Sequence, residues 1–496
     1  MKYLLGFDIG SSSVKAALLN IDTGKSVATA FSPAVEMTIA APKPGFAEQD
    51  PEQWWKELVN AMHLLHQQIS FKGDEVAAIG ISYQMHGLVC VDKNLQSLRP
   101  SIIWCDSRAV EIGNKAMADL GEGFCLKNFL NSPGNFTASK LKWVKDNEPA
   151  IYERIYKIML PGDYIAMRLT GEPATTVSGL SEGILWNFPQ KRLATELLEY
   201  YGIDERVISP VVPTFGEQGR LQSAAAEVLG LSAGIPVSYR AGDQPNNAYS
   251  LNVLNPGEIA ATGGTSGVVY GVTDKVSYDP KSRVNTFVHV SHTDEEPRYG
   301  ILLCVNGTGI LNSWLRKNFF NGASYQDINN EAALIPVGSE GVLVYPFGNG
   351  AERVLENNNP GARIEGLQFN IHHRGHIARA AQEGIVFSLC YGTEVMGKMG
   401  MPMGTVRAGY ANMFLSDIFA TTFANTTGCA IELYNTDGAL GAARAAGVGA
   451  GIYKDFATCF SGMEVVKRID PDKNHVQKTK EVYERWKEGL TRNAQR

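Results

Sequence analysis

Two stretches of this 496-residue chain repeat one pattern. At 6–18, GFDIGSSSVKAAL runs apolar, turns on Gly10-Ser11-Ser12-Ser13, and runs apolar again. At 257–273, GEIAATGGTSGVVYGVT does the same around Gly264-Thr265-Ser266. Strand, small-residue turn, strand is a local pattern. Its recurrence so far along the chain, with little residue identity, implies two copies of one α/β unit. A chain this long also exceeds what a single core needs. The division falls between Asn252 and Val253, giving domains 1–252 and 253–496. Two similar α/β domains that face one another leave a cleft, a favoured place for a ligand.

Composition narrows the function classes. Hydrophobic residues make up 44% and charged residues 19%, with a net charge of -6. These values fit a soluble globular protein and offer no basic patch for nucleic acid. Asp8 breaks the opening apolar run too early for a secretory signal, and no run of roughly 18 apolar residues suggests a membrane span. The seven cysteines show no CxxC spacing. They read as buried thiols of a reducing cytoplasm, neither a disulfide frame nor a zinc site.

Between the repeats the periodicity predicts a helix over 51–70 after Asp50-Pro51. A buried strand follows in VAAIGISY, then a turn at Met85-His86-Gly87 and another strand. A further strand ends at Trp104, and a helix opens near Asp106-Ser107. Helices are expected at 136–147 and 161–170. The run IPVSYRAGD is a strand ending at Ala241-Gly242-Asp243, with Pro245 ending regularity after it. The last 25 residues are charged and helix-prone, and either pack back on a domain or lie solvated.

Several constellations could carry chemistry. Small-residue turns expose backbone N–H groups and hydroxyls to phosphate oxygens. Gly10, Ser11, Ser12 and Ser13, and again Gly264, Thr265 and Ser266, qualify on that ground. Neither turn matches a P-loop or a dinucleotide fingerprint, and each alone could be a plain hairpin. Asp8 ends a buried strand beside the first turn. It is either a satisfied turn residue or a carboxylate that positions Mg²⁺ beside phosphates. Lys15, on the return strand, either offsets phosphate charge or lies exposed. Asp243 stands where a catalytic base would stand, at a strand end, and could equally be a cap. Met85 and His86 form an unusual turn. Trp104 with Asp106 offers a sugar both a ring face and a hydroxyl acceptor; a capped helix with a core Trp and an Asp106–Arg108 pair would use the same residues. The late stretch RAGYANMFLSD, with NTDGALGAARAAG, could form a slot for adenine or tight helix packing.

These motifs together resemble the FGGY carbohydrate kinases along essentially the whole chain. GFDIGSSSVKAAL is similar to the family's first phosphate loop, and GEIAATGGTSG to its second. NFTASKLKWVKDN resembles its first signature, with Asn135 departing from the usual aromatic or small residue. LPGDYIAMRLTGE and GARIEGL are also of the family's kind. GDQPNNA resembles the segment of the catalytic aspartate, and 409–446 the second signature, where Ala408-Gly409-Tyr410 replaces three glycines. The resemblance implies two actin-like, ribonuclease H-like domains with an ATP and sugar cleft between them. It implies ATP and Mg²⁺ as cofactors, with Asp243 as base, Asp8 and Asp243 near the metal, and Gly409 and Asn412 at the adenosine. QMHG followed by WCDSR resembles the members that act on xylulose. The implied reaction is γ-phosphoryl transfer from MgATP to D-xylulose, with Met85, His86, Trp104, Asp106 and Asp243 on the sugar. Ribulose or L-xylulose is the alternative acceptor, and an actin-like ATPase with no metabolic role is the rival of another class. The implied setting is cytoplasmic, with no nucleic acid or membrane partner; a homodimer is one assembly it allows.

Overall fold

The opening hairpin forms around its small-residue turn. In the computed structural model, which describes residues 2–494, Tyr3–Ile9 (β1) pairs antiparallel with Val14–Asn20 (β2), and β2 with Ser26–Ser32 (β3). Helix Pro51–Gln68 (α1) follows. Asp50 caps it, its side chain accepting from the Glu52 N–H at 3.0 Å, and Pro51 takes the first position, where no N–H is needed. The helix buries Trp54, Leu58, Ala61, Met62 and Leu65. Strand Val76–Tyr83 (β4) is buried at every position and pairs parallel with β1. Such a continuous apolar run suits a parallel strand covered on both faces. Helices Thr137–Asn147 (α2), Pro161–Thr170 (α3) and Val177–Glu182 (α4) precede Val237–Gly242 (β5), which pairs parallel with β4, and Asp243–Ser250 (α5). The sheet order is β5-β4-β1-β2-β3.

The second unit repeats that wiring. Ile259–Gly263 (β6) pairs antiparallel with Gly267–Thr273 (β7), and β7 with Tyr299–Val305 (β8). After Gly309–Phe319 (α6) and the long helix Arg374–Lys398 (α7), Val406–Gly409 (β9) pairs parallel with β6. Helix Asp417–Thr427 (α8) leads to Ile431–Tyr434 (β10), parallel to β9. The spatial order β8-β7-β6-β9-β10 is the order of the first sheet. The repeat seen in two turns is thus a repeat of whole topology.

The chain then returns to the first unit. Thr436–Met463 packs there together with Met1–Asn252 and Phe287–Pro297, while Val253–Thr286, Arg298–Asn435 and Glu464–Arg496 make the second. The sequence reading is of two contiguous halves; the compact units are interleaved. The returning helix Gly438–Gly449 (α9) is built of Gly and Ala so that its backbone can touch the first sheet. A Cβ on Gly6 would lie 1.9 Å from the Ala439 carbonyl oxygen, and one on Gly80 2.0 Å from that of Ala442. Of the two readings of NTDGALGAARAAG, close packing is what α9 does. The chain ends with Val465–Ile469 (β11), antiparallel to β10, and helix Val476–Ala494 (α10). That helix packs back: Trp486 is fully buried in the second core and donates from Nε1 to the Val344 carbonyl at 2.9 Å.

Four local readings change. Pro245 does not end regularity, because it sits in the first turn of α5, where its missing N–H has no helical partner to lose. The strand before Trp104 is only Ser101–Ile102, and the helix after it starts at Val110. Trp104 is 45% exposed, so it is no core residue. All seven cysteines are free, but Cys105 is exposed and Cys304 and Cys429 are half-buried.

Candidate active site

In the first unit the parallel strands β1, β4 and β5 end side by side. The register places Asp8 opposite Ser82, and Ser82 opposite Ala241, so the chain beyond each strand emerges at one edge. That edge carries the turn 10–13, the turn 84–87 and Asp243. Such strand ends are the common ligand site of open α/β sheets.

The turn 10–13 is held from behind. The Gly10 N–H donates to Ser13 O at 3.0 Å, the Met37 N–H to Ser12 O at 2.9 Å, and Gln49 Nε2 to Ser11 O at 2.7 Å. Ser12 stays exposed. Lys15 is exposed too, directly opposite Asp8 in the hairpin, and its charge opposes the rise that burial imposes on the Asp8 carboxyl. Ser82 opposes that rise as well, while Asp437 adds to it. Asp437 is the N-cap of α9, and a Cβ on Gly438 would lie 2.5 Å from Asp8 Oδ2. The start of α9 therefore closes on this carboxylate.

Asp243 is the first residue of α5 and is half-buried. Burial pushes its carboxyl up to about 7, with the charge of Asp8 next in weight. Hydrogen bonds from Gln244 work the other way. A carboxyl raised by burial and by the charge of a neighbouring carboxylate can hold a proton near neutral pH, and such a pair can share a cation. Behind them lies Glu182, buried, whose carboxyl is raised well above its ordinary range by burial, then by Asp243 and Asp163. A Cβ on Gly242 would meet Glu182 Oε2 at 2.5 Å.

His86 stands beside this group in the left-handed region, at φ 61°. Its Nδ1 lies 2.9 Å from the Glu182 carbonyl oxygen, and its ring packs against Phe136 at 4.9 Å and Phe287 at 5.4 Å. Met85 is buried against Gly242. Trp104 donates from Nε1 to Ser11 Oγ at 3.4 Å, tying its loop to the first turn. Asp106 is fully buried. Its carboxylate accepts from Ala47 N at 2.6 Å and from Arg108 N, Nε and Nη2 at 2.7–3.0 Å. Arg108 also pairs with Glu48 at 2.7 Å and stacks on Phe46 at 3.7 Å. Asp106 thus organises the loop that presents Trp104, and the Asp106–Arg108 pair read from the sequence is present.

The second unit has its own counterpart edge. The turn 264–266 ends β6, and Gly409 ends the adjacent parallel strand β9. The carbonyls of Gly264 and Thr265 accept from Gly309 N at 3.0 Å and Ile310 N at 3.2 Å, which docks the turn on the start of α6. Asn412 is exposed, at φ 53°. The structure therefore brings together Asp8, Gly10–Ser13, Lys15, Met85, His86, Trp104, Asp106 and Asp243 in one unit. Gly264, Thr265, Ser266, Gly409 and Asn412 gather in the other.

Residues 3–249 match the N-terminal domain, and residues 259–450 the C-terminal domain, of the FGGY family of carbohydrate kinases. The chain belongs to that family. It is a carbohydrate kinase, and its phosphoryl donor is ATP. It is 28% identical to the xylulose kinase of Lactococcus lactis over 98% of this chain and 96% of that one. To the xylulose kinase of Escherichia coli it is 30% identical, over 95% and 94%. A solved xylulose kinase structure from Brucella ovis superposes with a TM-score of 0.87 at 27% identity, covering 98% of each chain. Among the described residues no helix is long and apolar enough to cross a membrane.

Two residues of the kinase escape the sequence reading. Glu182 lies in a run of small and apolar residues, TVSGLSEGIL, where a lone acid was a signal. Lys140 lies in NFTASKLKW among the buried residues of α2. A lysine on the apolar face of a helix is the mark that could have found it.

Proposed function

We propose that this kinase transfers the γ-phosphoryl group of MgATP to the O5 hydroxyl of D-xylulose, giving D-xylulose 5-phosphate and ADP. The observation that carries the reading is the Asp8–Asp243 pair at the strand ends beside His86. A base that gains its proton near pH 7 is matched to a sugar hydroxyl attacking at neutral pH. Asp243 accepts the hydroxyl proton as the oxygen bonds to the γ-phosphorus and the bond to the ADP oxygen breaks. Catalysis of this kind is positioning and charge stabilisation. The xylulose kinases among its relatives support the acceptor, as do QMHG and WCDSR.

The remaining roles follow. Gly10, Ser11, Ser12, Ser13 and Lys15 hold phosphate, as do Gly264, Thr265 and Ser266; Gly409 and Asn412 take the adenosine. Met85, His86 and Trp104 hold the sugar, and any hydroxyl Asp106 accepts adds to bonds it already makes. Functionally the chain divides at 252/253, with the acceptor side and base before it and the adenosine side after. Mg²⁺ fits the acidic residues present. Among the described residues no group of three or more His, Cys, Asp or Glu is placed to hold a metal. Two half-buried carboxylates, Asp8 and Asp243, would suit a cation that arrives with the nucleotide. Bound there, Mg²⁺ neutralises phosphate charge. Seven free thiols and dependence on ATP support a cytoplasmic setting.

A coupled ADP-release assay across D-xylulose, L-xylulose, D-ribulose, L-ribulose, glycerol and gluconate tests this. The highest kcat/KM is expected with D-xylulose. A better acceptor in the panel reassigns the substrate. Turnover of ATP that no sugar stimulates favours the actin-like ATPase and overturns the kinase reading of the site.

A further inference from the structure

Helix α2 carries a lysine with no exposed surface, Lys140. Burying an ammonium is costly unless its protons are taken up. Burial pushes Lys140 down to about 7, against the pull of Asp106 and then Cys105. The ammonium donates to the His86 carbonyl at 2.8 Å and to the Ile103 carbonyl at 3.0 Å. These two acceptors belong to different loops. His86 is in QMHG, and Ile103 directly precedes Trp104 in WCDSR.

The bond to His86 meets a strained backbone. A non-glycine residue in the left-handed region persists only where its surroundings hold it. The His86 ring is fixed by Glu182 O, Phe136 and Phe287, while the His86 carbonyl is fixed by Lys140. Phe136 is the N-cap residue of α2, so one helix start holds both the ring and the carbonyl. The adjacent Asp106–Arg108–Glu48 cluster fixes the other loop from beneath. A methionine would fill the space of Lys140 without joining the loops.

We propose that Lys140 is a positioning residue for the acceptor sugar: it locks the backbones of His86 and Ile103 together, and so sets the spacing of His86 and Trp104, without touching the sugar itself. This rests on the reading that these two loops hold the acceptor.

The test is steady-state kinetics of the full-length kinase with D-xylulose and ATP varied separately. Lys140→Met is expected to raise the sugar KM about ten-fold, with the ATP KM within about two-fold of wild type. A merely structural lysine would instead lower Tm and the active fraction and leave both KM values in place. Where Met is not tolerated, Lys140→Gln, a shorter neutral donor, is expected to show the same sugar-only rise. Wild-type sugar KM in either folded variant overturns the proposal. His86→Ala separates the two layers of the argument. If it alone leaves the sugar KM unchanged, the sugar reading of the loop fails. If it raises the sugar KM and Lys140→Met does not, only the role of Lys140 fails. In the double variant the effects should be less than additive; full additivity contradicts action through His86.

Discussion

Asp243 meets two opposing demands. As a base it must be ionised when the sugar arrives, yet burial and the charge of Asp8 favour its protonated form. The rate should therefore fall below pH about 7, where the base is occupied, and level off above it. Asp243→Asn keeps the shape and removes the base, so kcat should drop roughly 10²–10⁴-fold and the acidic limb of the pH profile should vanish. Stability moves the other way. The folded value lies above the value of about 4 for an unfolded aspartate, so the folded state binds this proton more tightly and the group destabilises progressively as pH climbs from about 4 to about 7. Asp243→Asn should then melt a few degrees higher at pH 8 and no higher at pH 4, read by thermal unfolding at both pH values. At this scale the sequence is legible where position alone decides. Asp8 and Asp243 stand out because each ends an apolar strand. What each feels from the other depends on strand register, which spacing does not contain. Lys140 and Glu182 are hidden for the same reason, since a buried charge is explained only by the groups that surround it.

Among the elements, α9 shows how small residues become functional without contacting a ligand. Gly6 and Gly80 on the sheet let the helix backbone approach, and that approach puts Gly438 against Asp8. Gly80→Ala forces a Cβ to within 2.0 Å of the Ala442 carbonyl oxygen, so the helix must lift or the strand must bend. Overpacking of this kind costs about 1–3 kcal/mol, more where backbone is the obstacle. Chemical denaturation should report that loss, and turnover per folded molecule should fall because the wall behind Asp8 has moved. Wild-type activity and stability in Gly80→Ala would show that the helix yields freely. The Gly/Ala run admitted two readings in sequence, since flat slots and close helix packing ask for the same residues. Only the facing glycines of β1 and β4, distant in the chain, choose between them. By contrast α1 was legible almost to its ends, because its cap, its first-position proline and its apolar stripe are all local signals.

For the whole molecule, the repeated turn was enough to reveal two copies of one fold, because that pattern depends only on neighbours in the chain. The return of Thr436–Met463 to the first unit was not legible, since no composition change marks it. It has a testable result. A fragment of residues 1–252 lacks α9 and leaves the buried faces of β1 and β4 bare, so it should be insoluble or molten. The same fragment with 436–463 joined by a flexible linker should melt cooperatively. Cooperative melting of 1–252 alone would show that the returning segment is dispensable.

That interleaving also sets a clock on the ribosome. About 180 residues separate the last strand-end helix of the first unit from the segment that covers its sheet. At roughly 5–20 residues per second, the nascent chain waits about 10–40 s with an apolar sheet face unsheltered. The kinase is therefore expected to depend on holding factors during synthesis more than its modest hydrophobic content suggests, and slow codons before Thr436 should lower its yield without changing the finished enzyme.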